Sequence, residues 1–161
     1  MGAATEYAAL LRPLLPEAGG YARALLRNRD DAEDAVQIAA ERGLRSFGAF
    51  NRARSFRAWW FTILRNQCLD MRRAASRAPA VPLGDLDPPA PEAEPDFDWA
   101  RLDDAMRGLS PEHEEILRLK YFGGMSYKDL AQVLGIPAGT VMSRLHAARL
   151  ALGRALREEE A

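Results

Sequence analysis

Apolar residues recur along this chain at intervals of three and four, the spacing that lines one face of an α-helix. Residues 5 to 27 place Leu10, Leu14, Tyr21 and Leu25 on such a face, and Pro13, Pro16 and the Gly19-Gly20 pair predict a break or kink within it. A second helix begins at "RDDAEDAVQ". Asp30 can cap it, Glu33 follows three residues later as in a capping box, and acids crowd the first turn where the helix dipole favours them. "GAFNRA" reads as a turn-rich loop. Ser55 then caps a helix running to about residue 76, whose apolar face is Phe56, Trp59, Trp60, Ile63, Leu64 and Met71.

The C-terminal third carries clearer punctuation. Ser110, Pro111 and Glu112 supply a cap, a first-turn proline and an acid at the positive end of the dipole. Ser126 with Asp129 starts a short helix that ends near Leu134, and Gly135 suits the left-handed exit residue. Pro137 opens a last helix, with Val141, Leu145, Ala148 and Leu152 on its core stripe. Helix, tight turn and helix is the helix-turn-helix arrangement. No strand-like alternation of any length occurs, so the predicted fold is all-α.

Between these blocks the pattern stops. Residues 78 to 98, "APAVPLGDLDPPAPEAEPDFD", hold six of the ten prolines, six acids and no Lys or Arg. Proline removes backbone donors and like charges repel, so this stretch predicts a flexible, semi-extended acidic linker. The expected organisation is two small helical domains, 1–77 and 99–161, joined by the tether 78–98.

Charge sharpens that division. The formal net charge of -1 averages unlike segments. Residues 1–77 carry 13 arginines against 8 acids, the linker is at -6, and residues 99–161 balance nine bases with nine acids. Residues 42–77 alone hold nine arginines and one acid, interleaved with Phe47, Phe50, Phe56, Trp59, Trp60 and Phe61. Cations track phosphates and aromatics can stack on unpaired bases. The same aromatics also suit a core with the arginines as its solvated face. On the last helix, Thr140, Ser143, Arg144 and Ala147 lie opposite the core stripe, flanked by Met142, His146 and Arg149, as major-groove entry requires.

Little else has chemistry. Cys68 is the single cysteine and reads as a small buried hydrophobe; the two histidines lie far apart. No zinc spacing, nucleophile–base pair or Gly-rich phosphate loop is present, so no metal, no cofactor and no enzymatic activity are expected. No apolar run is long enough for a membrane span, and the first residues lack a basic signal-peptide region, so a soluble cytoplasmic protein is expected.

"DAEDAVQ" (31–37), "SFRAWWFTILRNQCLDMRR" (55–73) and "LRLKYFGGMSYKDLAQVLGIPAGTVMSRLHAAR" (117–149) resemble segments of bacterial sigma factors, the extracytoplasmic-function (ECF) group of the sigma-70 family. The resemblance covers both blocks and implies a sigma-2 and a sigma-4 domain on a flexible linker. It implies docking on core RNA polymerase through Asp31, Asp34, Val36, Gln37 and Glu41. It implies minus-ten contacts by Phe50, Asn51, Arg54, Phe56, Arg57, Trp59, Arg65, Asn66, Arg72 and Arg73. Asn66 is either a reader of a flipped base or a surface amide. Minus-thirty-five contacts fall on Tyr127, Lys128, Thr140, Met142, Ser143, Arg144, His146, Ala147 and Arg149. Leu117, Leu119, Tyr121 and Phe122 serve either the core or the polymerase flap.

The implied function is an alternative sigma factor that directs core polymerase to promoter DNA and is held in check by an anti-sigma factor. Two rivals stand beside it: a sigma mimic that sequesters an anti-sigma factor, and a plain helix-turn-helix regulator. The chain departs from the family in having Met142 and Ala147 where relatives carry long cations. A lost bidentate arginine–guanine contact is worth about 1–3 kcal/mol of base discrimination.

Overall fold

The structure, a computed structural model, describes residues 2–77 and 98–160, and every regular element among them is helical. Residues 78–97 of the expected linker lie outside the described residues. Asp98, assigned above to the linker, instead caps the next helix, accepting from the Arg101 N–H at 3.0 Å.

The first half is α1 (Ala3–Leu11), a 3-10 turn (Arg12–Leu14), α2 (Leu15–Leu26), α3 (Arg29–Ser46), a second 3-10 turn (Phe47–Ala49) and α4 (Phe56–Arg77). Pro13 breaks the first stretch as expected, because it takes a donor out of the helix ladder there. Pro16 falls in the first turn of α2, where no donor is needed. The expected break at Gly19-Gly20 does not occur. Both glycines lie inside α2, whose Ala18, Tyr21, Ala22 and Leu25 are buried, and packing outweighs a helix penalty of about 1 kcal/mol per glycine.

The cap of α3 also differs. Asn28, not Asp30, accepts from the Asp31 N–H at 3.0 Å. Arg27 before it takes a left-handed conformation at φ 55°, which ends α2 one residue earlier and leaves Asn28 at the cap. Ser55 caps α4 as expected, bonded to the Ala58 N–H at 3.2 Å.

Helices α2, α3 and α4 pack mutually around Tyr21, Trp60, Phe61 and Leu64. Trp60 is fully buried and its indole N–H donates to the Tyr7 hydroxyl at 3.0 Å, which donates to the Ala40 carbonyl at 2.7 Å. Gly43 lies directly against this pair: a Cβ there would collide with the Tyr7 hydroxyl and meet Trp60 Cδ1 at 3.0 Å. Gly43→Ala is therefore expected to destabilise the fold by about 1–3 kcal/mol, the usual cost of overpacking a filled core. A thermal melt checks this, and an unchanged midpoint would contradict the packing described.

The second half is α5 (Trp99–Arg107), α6 (Pro111–Tyr121), α7 (Tyr127–Leu134) and α8 (Ala138–Glu160). Helices α5, α6 and α7 all pack on α8. The two halves touch, α4 against α7 and α2 against α6. No described helix is long and apolar enough to cross a membrane.

Candidate nucleic-acid interface

The helix-turn-helix is built by local chemistry. Ser126 caps α7 through the Asp129 N–H at 3.1 Å, and Gly135 leaves it at φ 66°. The chain re-enters a helix one turn later, with the Val141 N–H on the Pro137 carbonyl at 3.0 Å. Val141, Leu145 and Ala148 are fully buried, so the opposite side of α8 faces out. Met142, Ser143, His146, Ala147 and Arg149 are exposed there, and Thr140 is half-buried at the edge. Arg144 is less open than its pattern suggested: it is half-buried and leans toward Glu112 at 4.0 Å. Tyr127 and Lys128 stand exposed at the first turn of α7.

Tyr121 belongs to this surface. It is exposed, and its hydroxyl accepts from Arg149 Nε at 2.7 Å. Leu117 and Leu119 are fully buried, so of the two roles left open for them the core is the one they fill; Phe122 is half-buried beside Trp99.

The loop before α4 is stiffened by aromatics. Phe50 is buried, stacked on Phe47 with centroids 6.0 Å apart, and Phe56 and Trp59 complete the cluster. Phe50 is thus a wall of the loop and not a free stacking platform. Arg52 grips Glu6 with two hydrogen bonds, at 3.1 and 2.7 Å, and lies over the Phe47 ring. That grip lowers the Glu6 carboxyl pKa. Asn51 and Arg54 form the exposed rim, where Asn51 Oδ1 accepts from the Ala53 N–H.

The polar side chains of α4 proposed for DNA fall into two sets about a third of a turn apart. Asn66 and Arg73 are exposed on one side. Asn66 shares a cleft of about 290 Å³ with Arg42, Arg45, Ser46 and Ile63. Arg42 and Arg45 were not singled out in the sequence, although they sit within its nine-arginine stretch. The other set, Arg57, Arg65 and Arg72, is half-buried against carboxylates: Glu17, Glu115 and Glu114 respectively.

On α3, Asp34, Gln37 and Glu41 share one exposed stripe at intervals of three and four, which Asp30 extends. Asp31 is exposed at its edge. Val36 does not join them: it is half-buried and packs against the core, because helical geometry turns it away from Asp34 and Gln37.

The described residues offer no reactive centre. Burial pushes the Cys68 thiol up to about 12, so it stays protonated and inert at neutral pH. No group of three His, Cys, Asp or Glu among the described residues could hold a metal ion.

Two family descriptions match this architecture, Sigma-70 region 2 over residues 10–78 and Sigma-70 region 4 over residues 99–152. The ECF RNA polymerase sigma factor SigL of Mycobacterium tuberculosis is 38% identical over 98% of this chain and 94% of its own length. The chain belongs to the sigma-70 family, in its ECF group. SigM of the same organism is 33% identical over 84% of this chain and 69% of its own. Among solved structures, CnrH in complex with the cytosolic domain of CnrY superposes with a TM-score of 0.73 at 25% identity, over 94% of this chain and 88% of that one. The sigma factor RpoE in complex with the anti-sigma factor NepR from Bartonella quintana gives 0.69 at 26% identity, over 94% and 97%. The two matched regions fall on the two helical halves of this sigma factor: region 2 runs from the last residues of α1 through α4, and region 4 from α5 into α8.

Proposed function

We propose that this sigma factor binds core RNA polymerase through α3, reads the minus-thirty-five element with α8 and engages the minus-ten element with the loop 47–55 and the open side of α4. One observation carries the proposal. A single chain exposes an acid-and-amide stripe on α3 and, on separate elements, two open cationic surfaces. A plain helix-turn-helix regulator has no use for the first or for a second DNA surface.

The residues proposed for minus-ten contact are Asn51, Arg54, Asn66 and Arg73, joined by Arg42 and Arg45. Phe50, Phe56 and Trp59 shape the pocket from behind. On α8 the proposed readers are Ser143, His146, Ala147 and Met142, with Arg149, Tyr127 and Lys128 on phosphates. Met142 and Ala147 offer apolar contact, suited to a thymine methyl, in place of an arginine–guanine pair. Polymerase docking falls on Asp34, Gln37 and Glu41.

The protein performs no chemistry of its own in this reading, works in the cytoplasm beside the polymerase and takes an anti-sigma factor as its regulator. The related RpoE, whose structure is a complex with the anti-sigma factor NepR, supports that last partner by analogy. The test is run-off transcription from a two-element promoter with purified core polymerase. Promoter-specific transcripts that depend on the added protein are the expected result. Binding to core or to an anti-sigma factor without initiation would instead favour the mimic.

A further inference from the structure

The segment 51–54 carries two of the residues proposed for minus-ten contact, Asn51 and Arg54, and has little burial to hold its shape. All four of its residues are exposed. It closes as a turn, with the Arg54 N–H on the Asn51 carbonyl and the Ala53 N–H on Asn51 Oδ1, both at 2.9 Å. Those bonds fix the turn internally and leave its aim to whatever ties it to the rest of the fold. Exposed turns of this kind open at little cost in free energy.

The tie comes from α1. Arg52 donates from Nε and Nη2 to the two carboxylate oxygens of Glu6, at 3.1 and 2.7 Å. A planar fork on a planar carboxylate fixes direction as well as distance. The same guanidinium lies over the Phe47 ring, 5.2 Å from its centroid. One residue further along α1, the Tyr7 ring meets Phe47 at 5.4 Å and Phe56 at 6.0 Å, at the start of the loop and the start of α4. Tyr7 is itself anchored, through its hydroxyl, to the Trp60 indole and the Ala40 carbonyl. Helix α1 therefore cannot shift without disturbing a buried pair. The match to Sigma-70 region 2 begins at residue 10, so Glu6 and Tyr7 lie outside the stretch that the family description covers.

We infer that α1 braces the minus-ten loop and that Glu6 is a positioning residue for promoter opening: through Arg52 it holds Asn51 and Arg54 at the aim that receives the DNA. This rests on the minus-ten reading proposed above. A base that leaves the duplex has already given up its pairing and stacking. A loop that must order itself at the same moment adds its own entropy to the barrier, and a loop ordered beforehand does not. Arg52 is not a phosphate ligand in this role. Its Nε–Nη2 edge, which could grip a phosphate with two bonds, is filled by Glu6. The bond from Arg52 also lowers the Glu6 pKa, so the carboxylate is ionised at neutral pH and the pair persists there.

The test uses the full chain as wild type, Glu6→Gln, Arg52→Glu, and Arg52→Glu combined with Glu6→Arg, which restores the pair in reverse. Hydrogen exchange on the free protein reads the brace without any promoter. Amides 51–55 are expected to exchange faster in Glu6→Gln and Arg52→Glu, at an unchanged thermal midpoint, and to regain protection in the swapped protein. Holoenzyme made with purified core polymerase then reads function on a promoter carrying a fluorescent base in its minus-ten element. For Glu6→Gln, initial promoter binding is expected to be unchanged and the opening rate to fall about threefold to fivefold, the scale of one well-aligned surface pair. The swapped protein is expected to open the promoter at a rate within about twofold of wild type. Tighter promoter binding by Glu6→Gln would show that Arg52 is a phosphate ligand masked by Glu6, and would overturn the brace. Unchanged loop exchange, binding and opening lost in equal proportion, or a swapped protein slower than Arg52→Glu alone would overturn it as well. Run-off transcription by wild type reports separately on the sigma reading, so either inference can fail without the other.

Discussion

Asp103→Asn is expected to cost about 3–5 kcal/mol of folding free energy, the usual cost of removing one partner from a buried ion network. Asp103 is 4% exposed and receives Arg118 at 2.8 Å, Arg107 at 3.2 Å and Arg27. Arg118 is fully buried, and Glu114 at 3.1 Å is its other carboxylate. An asparagine keeps the shape but leaves three guanidiniums without their shared countercharge. A single domain is stable by about 5–15 kcal/mol, so the variant should sit near its unfolding threshold. Urea denaturation measures this. A midpoint within error of wild type would mean that the network is not held as described. Replacing Asp103 and Arg118 together by leucine and methionine should cost less than the sum of the two single replacements, since the fully buried guanidinium is then no longer stranded.

The same carboxylate gives a pH dependence of definite sign. Burial alone would raise the Asp103 pKa, but the hydrogen bonds and charges of Arg118 and Arg107 outweigh it and hold the carboxyl below its ordinary value of 3.8. A depressed folded pKa stabilises the protein above the unfolded value. That contribution is lost as pH falls below about 4 and through the folded pKa. Acid denaturation of wild type should steepen in that window, and Asp103→Asn should flatten it.

The second large effect is expected on polymerase binding. Asp34→Lys with Glu41→Lys should weaken association with core by at least about 100-fold, because like charges across a docked interface cost several kcal/mol. Both residues are exposed, and neither lies at the junction between the halves, so the fold should be untouched. Circular dichroism and a melting curve check that, and titration of labelled core polymerase reads the affinity. Affinity within a few-fold of wild type would remove α3 from the docking surface. Val36 offers a contrast: turned toward the core, its truncation should lower stability more than docking.

Some of this was legible from short stretches. Ser55, Ser110 and Ser126 cap the helices they precede and Gly135 takes the left-handed exit, because a cap needs only three or four neighbouring residues. The core stripe of α8 followed from its period alone. Where two local solutions were of similar cost, the sequence could not choose. Asn28 and Asp30 are both good caps, and the choice depends on where α2 stops, which Arg27 sets while held by acids more than 70 residues away. Gly19 and Gly20 invite a break that the burial of their neighbours overrides.

The site residues divide the same way. Sequence placed an arginine-rich helix beside aromatics and a helix-turn-helix behind an acidic stretch, and with them the family and its two regions. Periodicity and local charge act within a few turns of chain, so they survive in one dimension. Which arginines remain open to DNA was decided only by the tertiary structure. Arg57, Arg65 and Arg72 look no different in sequence from Arg54 and Arg73. They are drawn from that set by Glu17, Glu115 and Glu114, carboxylates 40 to 50 positions away that folding brings within reach. Coulomb attraction depends on distance in space, and that distance does not exist until the helices pack.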